Sequence, residues 1–367
     1  MPEISDRKPF FLLGAVLALL FLFSELLLNT LYPDFVHPPA PKGWAIIPEA
    51  SWVEYHPALG WFHQKNKQAV LRKNGKEIPL STNSLGLRGT REYAKQKPQD
   101  KIRIYAAGDS FTFGFGVHNE SVYPALMEKL NPSFEVMNLG VAGYGVDQIS
   151  LLIEEFGFDY QPDIVFLAIY PEDFWRSLRA FNDAGYGKPY FKLEANGQLR
   201  LMHVPVPKDK NFQVPQFPVY RQTSFMERIF SWSRLYRLLD RAVIVLKKKA
   251  KWEDPDTSPE WILGRAILQR AVLRIREHHT RPILIMVPPR RWLTGTTEPV
   301  RESLARFAKR ENVEWIDLTP VFQNAIAQSS VDRHYIPDDF HWTEEGHALV
   351  ARTLNEYLKT HRRLDAA

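Results

Sequence analysis

The stretch Arg103-Ile104-Tyr105-Ala106-Ala107-Gly108-Asp109-Ser110 joins a short apolar run to a glycine and two polar residues. The run has the length of a buried strand, and a glycine after it is typical of a turn. Further runs of strand length follow at residues 134–139, 164–169, 283–287 and 313–316. Strands that are apolar on both faces and alternate with helices predict a parallel five-stranded sheet covered by helices on both sides, an α/β fold.

Helical spacing of apolar residues is clearest at residues 260–279 and 343–358. Thr343 is an expected N-cap for the second of these helices. Residues 174–258 break the alternation, since they contain several prolines and a basic cluster that ends at Lys251. We interpret residues 174–258 as an insertion between the third strand and the next helix.

Composition excludes several classes of protein. The chain has 367 residues, 45% hydrophobic and 24% charged, which is ordinary for globular proteins. The net charge of +5 is too small to favour nucleic acid as a partner. The absence of cysteine excludes disulfide scaffolds, zinc-thiolate sites, iron–sulfur clusters and cysteine nucleophiles. No metal or organic cofactor is implied.

Residues 10–31 are almost uniformly apolar and, as a helix, span about 33 Å, enough to cross a bilayer. Arg7 and Lys8 precede the run, which favours a cytoplasmic N-terminus at residues 1–9 and an extracytoplasmic remainder. We therefore predict a transmembrane anchor at 10–31, a linker and lead-in at 32–98, and a main domain at 99–360. A cleaved signal peptide and a buried core helix are the alternatives.

Chemically useful residues follow the predicted strands, where ligands bind in open parallel sheets. Ser110 follows the first strand, Gly140 follows the second and Glu172 follows the third. Asp338 and His341 follow the last strand and a loop. A serine becomes a nucleophile when a histidine takes its proton, and an aspartate then orients the histidine. Asp339 competes with Asp338 for that orienting role.

Three motifs in this order resemble those of the SGNH (GDSL-type) hydrolases: Gly108-Asp109-Ser110, Asn138-Leu139-Gly140 and Asp338-x-x-His341. The stretches at 83–89 and 143–148 are similar to the membrane-anchored bacterial branch. The resemblance implies a three-layer, flavodoxin-like α/β/α sandwich. It also implies Ser110 as nucleophile, His341 as general base and Asp338 as its orienter. The oxyanion hole would use the N–H groups of Ser110 and Gly140 and an asparagine side chain.

One position departs from the family pattern. The third motif usually presents Asn-Asp after the third strand, whereas this chain has Glu172-Asp173. A carboxylate at this position would repel an oxyanion, and the loss of one donor costs about 10²- to 10³-fold in rate. Asn182 is an alternative source of the amide. Glu172 could instead point away or stay protonated.

These observations favour a membrane-anchored serine esterase of the bacterial inner membrane with its catalytic domain in the periplasm. Its expected partner is an acylated carbohydrate or lipid of the envelope. A polysaccharide O-acyltransferase that uses the same serine is a second hypothesis. A non-catalytic protein that binds an envelope component is a third, and it is motivated by Glu172.

Overall fold

The computed structural model describes residues 8–31, 45–46, 52–73, 76–180, 187–206, 257–293, 299–337 and 339–361. The chain divides into two compact units. The first comprises Met1–Gly43 and Arg221–Glu253, and the second comprises Trp44–Tyr220 and Asp254–Ala367. Within the first unit the structure describes helix α1 (Lys8–Leu31). The other described elements belong to the second unit.

The lead-in that precedes the main sheet is a set of short antiparallel strands. They are β1 (Ala45–Ile46), β2 (Val53–His56), β3 (Gly60–His63), β4 (Gln68–Lys73) and β5 (Lys76–Ser81). β4 pairs with both β1 and β5, while β2 and β3 form a separate hairpin. The residues predicted to be a linker and lead-in therefore include a small folded substructure.

The main sheet has five parallel strands in the order β12-β11-β8-β6-β7. Their bounds are β6 (Ile102–Gly108), β7 (Phe134–Gly140), β8 (Ile164–Ile169), β11 (Arg281–Met286) and β12 (Glu314–Asp317). Gly108 of β6 lies opposite Gly140 of β7, so both strands end at one edge. The prediction of a five-stranded parallel sheet is confirmed.

Helices cover both faces of this sheet. One core cluster joins alternate strand residues such as Ile104 and Phe166 to Met127, Phe322 and Val350 of the covering helices. On the opposite face the ring of Tyr105 meets that of Phe156 with 5.5 Å between centroids. The helices are α2 (Ser110–Phe113), α3 (Tyr123–Leu130), α4 (Val146–Phe156), α5 (Glu172–Arg176), α6 (Pro259–Glu277), α7 (Val300–Arg310), α8 (Thr319–Ala327), α9 (Val331–His334) and α10 (Glu344–Thr360).

Helix α10 begins as its sequence predicts. The side chain of Thr343 accepts a hydrogen bond from the Gly346 N–H at 3.2 Å, which satisfies one of the unpaired donors of the first turn. Glu344 and Glu345 occupy the first turn, where negative charge stabilises the helix dipole.

The first part of the predicted insertion packs into the main unit. After α5, strands β9 (Tyr190–Leu193) and β10 (Leu199–Met202) form an antiparallel hairpin. Just before β9, the ammonium of Lys188 donates to Asp147 of α4, and both side chains are fully buried. The Lys188 ammonium also donates to the carbonyls of Arg176 and Arg179, each at 3.1 Å. The basic cluster ending at Lys251 lies outside the described residues.

Helix α1 covers the run for which we predicted a membrane anchor. Within the ranges described above, no helix meets the length and apolarity required to cross a bilayer. The prediction of a transmembrane helix at 10–31 is therefore not confirmed by the structure.

Two buried histidines predict how stability depends on pH. Burial lowers the pKa of His347 to about 3 and that of His63 to about 4. Nδ1 of His347 accepts the Tyr123 N–H at 3.2 Å, so protonation there would break this bond. Since the unfolded state binds protons from about pH 6.5 downward, acid favours unfolding. The stability that these two neutral imidazoles contribute is fully present above that pH and is lost as the pH falls.

We therefore expect the free energy of unfolding to fall by about 2 kcal/mol for each of these histidines between pH 7 and pH 4.5. The variant His347→Gln keeps an acceptor for the Tyr123 N–H but cannot be protonated in this range. Chemical denaturation at both pH values should show a smaller loss for His347→Gln than for the unsubstituted protein. Equal losses would contradict a buried neutral imidazole at this position.

Candidate active site

The site is built where β6 becomes α2. Asp109 is the N-cap of α2, and its Oδ1 accepts the Phe111 N–H at 2.9 Å. Ser110 is the first helical residue, so its N–H has no carbonyl partner within the helix. Gly114 ends the helix with φ of 83°. The serine hydroxyl is thus presented from a sharp, capped turn at the carboxyl edge of the sheet.

Ser110 and His341 meet at this edge. Nε2 of His341 lies 2.8 Å from Oγ of Ser110, and both residues are 6% exposed. Nδ1 of His341 lies 2.6 Å from Oδ1 of Asp339. Because a carboxylate accepts only, Nδ1 carries the proton and Nε2 is the acceptor for the Ser110 hydroxyl. This is the arrangement in which a histidine deprotonates a serine.

The carboxylate that contacts the His341 ring is that of Asp339, the residue that competes with Asp338 for the orienting role in the sequence. Oδ1 of Asp339 accepts from both the ring Nδ1 and the backbone N–H of His341, the latter at 2.9 Å. The Ile336 N–H donates to the His341 carbonyl, also at 2.9 Å, and closes the turn. Two hydrogen bonds to one oxygen fix the backbone and the ring together. Asp338 lies outside the described residues.

Gly140 is the second residue whose N–H we predicted as an oxyanion donor. Its N–H donates to Oδ1 of Asn138 at 2.9 Å, so this donor is engaged by a neighbouring side chain. A Cβ at Gly140 would lie 2.1 Å from the Phe113 nitrogen. The glycine is required here because helix α2 passes directly over the end of β7. The Ser110 N–H, the other predicted oxyanion donor, lies at the start of α2.

Glu172 and Asn182 were the candidates for the third oxyanion donor. Glu172 begins α5, and its Oε1 lies 3.1 Å from Nη1 of Arg291. The charge of this carboxylate is thus balanced by a guanidinium. Asn182 lies outside the described residues.

The lead-in holds helix α2, which carries Ser110. The guanidinium of Arg88, 6% exposed, donates to the carbonyls of Phe113, Gly114 and Val117 at 3.2, 2.7 and 2.5 Å. The ring of Phe113 stacks on Trp52 with 6.0 Å between centroids. Charge-assisted hydrogen bonds of this kind contribute about 1.5–3 kcal/mol each. The segment before the main domain is therefore part of the support of the site.

A buried ion network lies behind Ser110. Nη1 of Arg176 donates to Oδ2 of Asp109 at 2.9 Å, to Oδ1 of Asp173 at 2.7 Å and to the Tyr144 carbonyl at 3.1 Å. Asp109 and Asp173 are almost completely buried. Burial and the nearby Asp109 raise the pKa of Asp173 well above its usual value, although Arg176 opposes the shift. One guanidinium thus compensates two carboxyl groups, one of which caps the helix of Ser110.

Aromatic rings surround the imidazole of His341. The rings of Phe111, Phe115 and Phe340 have centroids 5.2, 5.0 and 4.2 Å from that of His341. Tyr170 packs on Phe111 at 4.8 Å. These rings restrict water around the imidazole, and an electrostatic interaction is stronger where water is excluded.

Several of these supporting residues were not predicted from sequence. Arg176 follows Asp173 by three residues on a helix, a spacing that brings side chains together and could have indicated the ion pair. The positions of Arg88 and Arg291 carry no such signal, since their partners lie far away along the chain.

Comparison with known proteins identifies the family. The profile of the GDSL-like lipase/acylhydrolase family matches residues 106–349. The chain therefore belongs to this family and is an enzyme that acts on ester bonds. No curated protein matches the chain by sequence.

Solved structures of low identity also match. An acetyl xylan esterase is 15% identical, and the match covers 70% of this chain and 100% of the esterase with a TM-score of 0.41. A putative lipolytic protein of the G-D-S-L family from Desulfitobacterium hafniense is 15% identical over 70% of this chain and 99% of its own, with a TM-score of 0.39. An acetylxylan esterase from Geobacillus stearothermophilus is 17% identical over 71% and 95%, with a TM-score of 0.39.

The role of Asp339 can be tested against that of its neighbour. We expect Asp339→Asn to lower kcat by about 10³- to 10⁴-fold, because an amide favours the wrong imidazole tautomer. Asp338→Asn should lower kcat much less. The measurement is the hydrolysis of 4-nitrophenyl acetate by both variants. A larger loss for Asp338→Asn would restore the assignment made from the sequence.

The buried network predicts a large effect on stability. Arg176→Met leaves two buried carboxyl groups without their cation, which typically costs about 3–5 kcal/mol. Arg176→Lys keeps the positive charge and should lose less. Chemical denaturation of the three proteins measures the difference. A loss for Arg176→Met below about 1 kcal/mol would show that the network does not stabilise the fold.

Proposed function

We propose that this protein is a serine esterase in which Ser110 is the nucleophile, His341 the general base and then acid, and Asp339 the orienting carboxylate. The observation that carries the proposal is the hydrogen-bonded chain from Ser110 Oγ through the imidazole to Asp339. Its distances of 2.8 and 2.6 Å are those needed for proton transfer and for fixing the tautomer.

The geometry supports the following first half of the reaction. Oγ of Ser110 attacks the ester carbonyl while its proton passes to Nε2 of His341. Asp339 stabilises the resulting imidazolium and remains ionised. The N–H of Ser110 stabilises the oxyanion at the helix start. The tetrahedral intermediate collapses as the alkoxide leaves with the proton from Nε2, and an acyl-serine remains.

Water completes the second half. His341 takes a proton from a water molecule as the water oxygen attacks the acyl-serine. Collapse of this second intermediate returns the proton to Ser110 Oγ and releases the carboxylic acid. If an alcohol replaced the water, the product would be a new ester, which is the reaction of an O-acyltransferase.

We expect a fluorophosphonate probe to label the protein and to leave Ser110→Ala unlabelled. The same variant should lose at least about 10³-fold in kcat for 4-nitrophenyl acetate, since the nucleophile is removed. Ser84→Ala is the matched control, because Ser84 is exposed and lies in the lead-in. Equal labelling of the protein and Ser110→Ala would reject Ser110 as the nucleophile.

A second assay, which follows the fate of the acyl group, separates hydrolysis from transfer. With acetylated oligosaccharide as donor and a second oligosaccharide in excess, an esterase releases free acetate. Formation of acetylated acceptor as the main product would replace the esterase by a transferase that uses the same serine.

We further propose that the chain is attached to a bacterial inner membrane through α1, with the main unit outside the cytoplasm and an acylated envelope carbohydrate or lipid as substrate. The apolar sequence of residues 10–31 and the basic residues before it support this proposal. Eight apolar side chains of α1 are also exposed, a feature typical of interaction surfaces: Leu13, Val16, Leu19, Leu20, Leu22, Phe23, Leu26 and Leu27.

Attachment predicts that the full chain stays in the membrane pellet after a wash at pH 11, whereas a variant lacking residues 1–31 is released. Alkaline phosphatase fused after residue 43 should be active in a bacterial host, since this reporter folds only outside the cytoplasm. Release of the full chain by the wash would contradict attachment. An inactive fusion would contradict the proposed orientation.

A further inference from the structure

The stretch at residues 83–89, to which the proposed mechanism gives no role, folds as a tight turn in the lead-in. Oδ1 of Asn83 accepts the N–H groups of Leu85 and Leu87 at 3.0 and 2.9 Å. Gly86 has φ of 79°, a left-handed conformation that favours glycine. An asparagine that bonds the backbone just beyond it is a common way to fix a turn. The arginine that follows therefore leaves the turn in a defined direction.

That arginine, Arg88, reaches into the loop that follows α2. Its Nε donates to Oδ1 of Asn119 at 3.0 Å, and its two Nη atoms donate to the three backbone carbonyls given above, those of Phe113, Gly114 and Val117. Each of these four acceptors is uncharged. Burial without a bonded carboxylate is costly for a cation, and it lowers the pKa of Arg88 to about 9. The guanidinium therefore fixes the loop rather than an acidic partner.

The loop that Arg88 binds also holds the nucleophilic residue. The N–H groups of Gly114 and Phe115 both donate to the carbonyl of Ser110, each at 3.0 Å. The carbonyl of Gly114 accepts from Arg88 at 2.7 Å. One residue thus joins the two side chains, since its N–H binds the serine and its carbonyl binds the guanidinium. A shift of this loop would move Ser110 with it.

The same loop contacts the histidine. Phe115 directly follows Gly114, and its ring packs against that of His341 with 5.0 Å between centroids. Phe115 therefore bonds the serine through its backbone and supports the imidazole through its side chain. Both ends of the 2.8 Å hydrogen bond between Ser110 and His341 depend on the position of this loop.

We propose that Arg88 is a positioning residue of the esterase, which holds the loop after α2 so that Ser110 Oγ and His341 Nε2 stay within hydrogen-bond distance. The turn at residues 83–89 is then the part of the chain that presents this arginine. The inference rests on the proposed esterase function. Because Arg88 acts through the serine and the histidine, its loss should slow the formation of the acyl-serine and leave substrate binding unchanged.

The test separates these two quantities. The burst of 4-nitrophenolate from 4-nitrophenyl acetate, followed by stopped flow, gives the acylation rate constant and the apparent dissociation constant of the substrate. We expect the acylation rate constant to fall about 10²-fold in Arg88→Met, since a small misplacement of reacting atoms has an effect of this size. Arg88→Lys keeps the cation and should lose about 10-fold. The dissociation constant should stay within about 3-fold in both variants, and the rate of labelling by a fluorophosphonate should fall in parallel with acylation.

Arg91→Met is the matched control, because it makes the same substitution three residues further along. Arg91 pairs with Glu128 and Glu135, and Glu135 lies near the start of β7, at the end of the sheet away from Ser110. This variant should lose stability but keep the acylation rate constant within about 2-fold. All rates are expressed per folded protein, with the folded fraction taken from circular dichroism. Where Arg88→Met does not fold, Arg88→Lys decides the question.

Failure of the inference differs from failure of the proposed function. If the unsubstituted protein reacts but the Arg88 variants acylate as fast as it does per folded protein, the inference is wrong and the esterase stands. An equal loss in Arg91→Met also rejects the inference, since the effect would then be general. If the unsubstituted protein reacts with neither the fluorophosphonate nor 4-nitrophenyl acetate, the proposed function itself is wrong.

Discussion

The hydrogen bond between Ser110 and His341 joins residues that are 231 positions apart, and the arrangement of the main unit serves this contact. Ser110 reaches the edge because α2 lies directly on the ends of β6 and β7. Cβ atoms at Gly108 and Gly140 would come 2.3 and 2.1 Å from atoms of that helix, so both strands must end in glycine. His341 reaches the same edge through the closed turn that Asp339 and Ile336 stabilise.

The site is also constrained from behind. Asp109 caps α2 and depends for its charge balance on Arg176, which itself lies at the end of α5. Lys188 then ties the carbonyl of Arg176 to Asp147 on α4. Buried charges stabilise little by themselves, but removing one partner is costly. The segment that interrupts the alternation of strands and helices is therefore connected through these ions to the turn that presents Ser110.

The sequence predicts those features that depend on local pattern. All five main strands follow from apolar runs, and the meeting of Ser110 with His341 follows from the rule that parallel strands end at one edge. The sequence leaves Asp338 and Asp339 as alternatives, since neighbours in an irregular turn point in directions set by backbone dihedral angles that no periodicity encodes. The hydrogen bond from the Gly140 N–H to Asn138 likewise depends on the rotamer of the Asn138 side chain. The support from Arg88 depends on contacts between distant segments.

The carboxylate of Glu172 is compatible with oxyanion chemistry because its charge is compensated. An isolated anion near Ser110 would oppose the developing negative charge, and the family pattern avoids this with a neutral amide. Here the carboxylate of Glu172 lies 3.1 Å from the guanidinium of Arg291, so the pair is neutral as a whole. A dipole with its positive end on Arg291 favours an anion placed on the arginine side of the pair. The carboxylate of Glu172 is therefore not an isolated anion beside the oxyanion that the proposed mechanism forms at Ser110.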